Sequence, residues 1–85
     1  MKRMANQFES PGLRKTILSP CELRVWLEAN QGTIKRAVLA EPSGRDFIIG
    51  YLDKAGIGFD QDDYDSQRVI TVAGSWVTRW RLGYQ

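Results

Sequence analysis

The chain has 85 residues, 42% of them hydrophobic, with three each of Phe, Tyr and Trp, which fits one small globular domain and argues against disorder. Twelve basic and ten acidic side chains leave a net charge of +2, too little to argue for a polyanionic partner by itself. No apolar run approaches the roughly 18 residues that a membrane span requires, and a single cysteine cannot form an internal disulfide. Residues 1–16 lack periodicity and contain the turn dipeptide Pro11-Gly12, so they are expected to form a flexible basic arm ahead of one domain over 17–85. Lys2 and Arg3 are followed by no apolar stretch, so no signal peptide is expected, and the lone cysteine fits a cytoplasmic location.

The first clear element starts at Ser19. Ser19-Pro20-Cys21-Glu22 has the form of a capping box, serine and glutamate each satisfying a backbone N–H of the other, with proline at the first helical position. Leu23, Trp26 and Leu27 recur at helical spacing and Asn30-Gln31-Gly32 is a stop, which predicts a helix over 20–30. Thr33 is the expected cap of a second helix over 33–40, ended by Glu41-Pro42. Ser43 then caps a third over 43–55, with Asp46 in its first turn and Gly56 at the left-handed position after its end.

Beyond Gly56 the pattern changes to period two. The β-branched run Arg68–Val72, the turn-like Ala73-Gly74-Ser75 and the alternation of Trp76–Leu82 predict strands at about 57–60, 67–73 and 76–82. A rival parse makes 22–28 and 33–40 strands, giving β-β-α-β-β, and the capping box opposes it.

Charge is unevenly spread. Residues 56–67 hold four aspartates and no base, while residues 68–85 hold three arginines and no acid. The acidic stretch "GFDQDDYDSQR" fails as a calcium loop: counted from Asp60 or from Asp63, neither register has glycine at the sixth position or glutamate at the twelfth. Aspartates favour turns, so the stretch reads as a hairpin tip.

"YLDKAGIGFDQDDYDSQRVITVAG", residues 51–74, resembles the last helix and wing of winged helix-turn-helix proteins, including regulators of the multiple-antibiotic-resistance type. Leu52, Asp53, Gly56, Ile57, Asp65, Arg68, Val69, Ile70 and Val72 carry the resemblance, which spans about residues 19–82. It implies a small α+β fold of three helices followed by a β-hairpin wing, and a non-enzymatic regulatory or accessory protein that binds double-stranded DNA. By that resemblance Ser43 and Arg45 at the start of helix three read bases, while Lys35, Arg36, Arg68 and Arg79 hold phosphates. Two features depart from it: Asp46 and Asp53 share the side of helix three meant for the groove, and the aspartates of the wing repel a polyanion. The alternative function is a protein-binding inhibitor or adaptor that presents Asp60, Asp62, Asp63, Tyr64 and Asp65 to a basic partner surface.

Catalysis has little in its favour. There is no histidine, no Walker loop and no metal-ligand cluster, and Gly56-x-Gly58 lacks the third glycine and following helix of a phosphate fingerprint, so neither cofactor nor metal is expected. Trp26, Trp76 and Trp80 are assigned by their spacing to the core rather than to stacking on single-stranded bases, and Cys21 to a small buried or inert thiol.

Overall fold

The computed structural model describes residues 15–83. Of the expected basic arm only Lys15 and Thr16 fall within that range; the rest lies outside the described residues. The element order is β1 (Thr16–Leu18), α1 (Pro20–Ala29), α2 (Gln31–Ala37), α3 (Gly44–Lys54), β2 (Ile57–Phe59) and α4 (Tyr64–Arg81).

Local chemistry sets the helix starts. The capping box forms as a reciprocal pair: Ser19 N donates to Glu22 Oε1 at 2.9 Å and Glu22 N donates to Ser19 Oγ at 3.2 Å. Ser43 Oγ accepts from Asp46 N at 3.2 Å and starts α3. That helix ends where Gly56 turns left-handed at φ +77°, a conformation that costs glycine no Cβ clash. The second helix differs from expectation. Asn30 closes α1 and opens α2 directly, its Nδ2 donating back to Trp26 O at 2.8 Å, so Thr33 caps nothing and lies inside the helix.

The expected hairpin wing does not exist, and neither does the β-β-α-β-β alternative. Ile57–Phe59 is a strand, but it pairs in parallel with β1, in the register Thr16↔Ile57, Ile17↔Gly58 and Leu18↔Phe59. Three helices make the crossover that a parallel pair requires. The residues expected as strands 67–73 and 76–82 form one helix of 18 residues.

Burial explains this outcome. Ser66, Ile70, Ala73, Gly74 and Val77 of α4 are buried, a stripe at spacings of three and four that a strand cannot gather on one side. The β preference of Val69–Val72, at most about 1 kcal/mol per residue and dependent on context, yields to that burial. Gly74, expected in a turn, marks the closest approach of α3 and α4: a Cβ on it would stand 2.8 Å from Arg45 N, and one on Gly44 would collide with Gly74 O.

The core is a single cluster. Leu23 and Leu27 of α1, Ile34 of α2, Ile48 and Leu52 of α3, and Ile70, Ala73 and Val77 of α4 are each at most 1% exposed. Each large aliphatic side chain buried in this way contributes about 1.5–3 kcal/mol. Trp26, Tyr51 and Phe47 extend the core between α1 and α3, with ring centroids 6.3 and 6.4 Å apart.

Candidate nucleic-acid interface

The four aspartates expected at a hairpin tip lie instead on the loop between β2 and α4 and on the first turn of α4. Two of them are consumed by backbone. Asp60 Oδ1 accepts from Asp62 N at 2.9 Å, and Asp63 Oδ2 accepts from Ser66 N at 2.9 Å as the N-cap of α4. Asp65 sits in the first turn, where the positive end of the helix dipole favours it. Tyr64 is exposed, and the Arg68 guanidinium lies 5.9 Å from the centre of its ring. Among the described residues no three acidic, cysteine or histidine side chains converge as a metal site.

The opposite end of α4 is basic. Arg79 and Arg81 occupy its last turn, and Lys35 and Arg36 occupy the last turn of α2. Cations at helix C-termini complement the negative end of the dipole, which accounts for their position on each helix separately. The tertiary fold then brings the two helix ends together. A depression of about 390 Å³ lies between them, lined by Gln31, Gly32, Lys35, Trp76, Arg79 and Trp80. A second, of about 420 Å³, adjoins it through Lys35 and Trp80 and reaches Arg81. Among the described residues no carboxylate lines either one.

Arg81 acts as a clamp. Its Nε donates to Leu39 O at 2.6 Å, tying the chain after α2 to the end of α4, and no carboxylate among the described residues neutralises it. Arg36 donates to Thr33 Oγ1 at 3.4 Å, a contact too long to immobilise it.

The other expected base readers and phosphate holders are dispersed. Ser43 Oγ is engaged in capping α3. Arg45 is exposed in the first turn of α3, its backbone against Gly74 in the middle of α4. The rest of the exposed side of α3 offers Asp46, Gly50, Asp53 and Lys54, two acids against one base. Asp53 forms an ion pair with Lys15 at 2.5 Å, half-exposed and therefore of small energetic weight. Arg68 is separated from Arg79 by three turns and shares a groove with Arg24, Glu28 and Asp65. Lys35 and Arg79 thus come together, and Arg68 does not join them.

Sequence reasoning missed Gln31 and Arg81, and it preferred the core to base stacking for Trp76 and Trp80. Both indoles are half-buried, with one side against the core and the other lining the basic depression. Their separation of four residues carries that signal only once 64–81 is known to be helical. Of the two states expected for Cys21, buried or inert, the first does not hold: the thiol is exposed.

The chain matches no protein-family model, no curated protein and no solved structure. No helix among the described residues is long and apolar enough to cross a membrane.

Proposed function

We propose that the protein is a small, non-enzymatic DNA-binding accessory or regulatory protein whose contact surface is the basic face formed by the ends of α2 and α4. The observation that carries this reading is the meeting of Lys35 and Arg79 beside Trp76 and Trp80 in one depression. Arg36 shares the last turn of α2 with Lys35, and Arg81, tied to Leu39 O, lines the adjoining depression, so the ends of both helices carry positive charge. Each cation–phosphate contact gains affinity by releasing condensed counterions. The acidic loop does not oppose this grip: Asp65 and Arg79 are fourteen residues apart on one helix, about 21 Å along its axis.

The grip is on the backbone. The mixed charge exposed on α3 gives it no advantage as a groove reader, and Arg45 stands apart from the depression. The rival reading, an acidic surface for a basic partner, loses most of its motive because Asp60 and Asp63 already serve the turn and the cap. An exposed free thiol suits a reducing compartment, in keeping with action in the cytoplasm.

Equilibrium binding to a labelled duplex across a salt series tests the proposal. Affinity should fall as salt rises, and Lys35→Gln and Arg79→Gln should each flatten the log–log slope by about one. Binding indifferent to salt and to both substitutions overturns it.

A further inference from the structure

A grip on phosphates alone does not call for the aromatic walls of this site. Trp76 and Trp80 hold their ring centroids 6.2 Å apart with planes tilted by 43°. Each packs one side against the core, so the rings are fixed before any ligand arrives. Trp76 lies between this depression and the groove of α1 and α4, and Trp80 lies between it and the depression that reaches Arg81. Three concavities therefore run along α4 with an indole at each boundary. Gln31 adds an amide that both donates and accepts, and Lys35 and Arg79 supply charge at the same place.

A paired base inside a duplex has both faces covered by its neighbours, so a recessed indole cannot stack on it. An unpaired base offers its face freely. Stacking on an aromatic side chain is worth about 1–3 kcal/mol per base and tolerates any base, because every base has a π-face. A ring already held by the core gives up little conformational freedom on contact. The volume of about 390 Å³ falls within the roughly 300–1,000 Å³ typical of small-molecule sites, enough for one nucleotide.

We infer that the depression between α2 and α4 receives an unpaired nucleotide of single-stranded nucleic acid, its base stacked on an indole and its phosphates held by Lys35 and Arg79. This inference rests on the nucleic-acid reading above and narrows it to strands whose bases are exposed. Trp26 takes no part, since its ring packs on Tyr51 on the α1–α3 side.

The test uses the wild-type protein with fluorescein-labelled ligands across a salt series, read by anisotropy, with affinities compared at the lowest salt. The ligands are a twelve-nucleotide oligothymidylate, an oligouridylate of equal length, a strand of abasic residues with the same phosphates, and a blunt duplex. The expected result is at least about tenfold tighter binding of a base-bearing strand than of the abasic strand or the duplex, with quenching of tryptophan fluorescence. The ratio of the thymidylate to the uridylate affinity separates DNA from RNA as the source. Trp80→Leu should bring the base-bearing strand down to the abasic level, while Trp80→Tyr should keep most of the difference. Equal, salt-sensitive binding of all four ligands overturns the base site and leaves the phosphate-binding reading standing. Absence of salt-sensitive binding to any of them removes both. Should Trp80→Leu unfold, as circular dichroism would show, the wild-type comparison of base-bearing and abasic strands decides alone.

Discussion

The two ends of α4 carry opposite charge, and they differ in how far local structure uses that charge up. At the first end Asp63 caps the helix, Asp60 holds the preceding turn, and Gln67 Nε2 donates to Gln61 O at 2.7 Å. Two of the four aspartates there are engaged by the chain's own backbone. At the second end Arg79 has no carboxylate partner among the described residues, and two half-buried indoles stand beside it. The helix dipole explains why acids gather at one end and cations at the other. It does not explain why the basic end is also concave and aromatic. The functional reading rests on that difference.

The largest effect that would disturb the comparison comes from the point where α3 crosses α4. Gly74→Leu must force the two backbones apart. It should lower the stability to urea by about 3 kcal/mol, at the upper end of overpacking costs, and scatter both ends of α4 from their neighbours. An unchanged urea midpoint would show that the close approach is not present in solution. Next in size, the double substitution Lys35→Gln and Arg79→Gln should weaken strand and duplex binding by about tenfold at moderate salt and reduce the salt slope by about two. The contrasting substitution Arg68→Gln, at the acidic end, should leave that slope unchanged. If Arg68→Gln flattens it as much, the division between the ends fails.

Smaller effects belong to the acidic end itself. Asp63→Ala removes the N-cap of α4 and should cost about 1 kcal/mol in urea unfolding, without altering nucleic-acid affinity at temperatures where the domain is folded. The smallest response is expected from Asp62→Asn, an exposed side chain on the same loop. Its effect on affinity should stay below about twofold at moderate ionic strength, where Debye screening falls off over about 10 Å. A larger gain on removing this charge would place the acidic loop close to the bound strand.

What could be read from residues alone follows from the range of the forces involved. Ser19 with Glu22, Ser43 with Asp46, and the left-handed Gly56 act over three or four residues, and the expected starts of the first and third helices fell within a residue of their true positions. Asn30 was harder. Asn-Gln-Gly reads as a stop, and only the bond from Asn30 Nδ2 to Trp26 O shows one helix handed straight to the next. The resemblance over residues 51–74 misled because a strand after a helix end is common to many folds. Ile57–Phe59 is such a strand, but its partner is β1, on the far side of three helices. The candidate site was legible only in part: Lys35 and Arg79 were singled out, but for different elements of a different fold.

The sequence by itself determined where the first and third helices begin and end, because their caps and turns are contacts between near neighbours. Tertiary structure decided the state of residues 64–81, whose β-branched run and helical stripe pointed in opposite directions. Burying Ile70, Ala73 and Val77 against α3, at a crossing that Gly44 and Gly74 make narrow, outweighs the local preference for strand. The same packing decided which cations meet, since Lys35 and Arg79 are 44 positions apart and share a surface only after α2 and α4 end side by side.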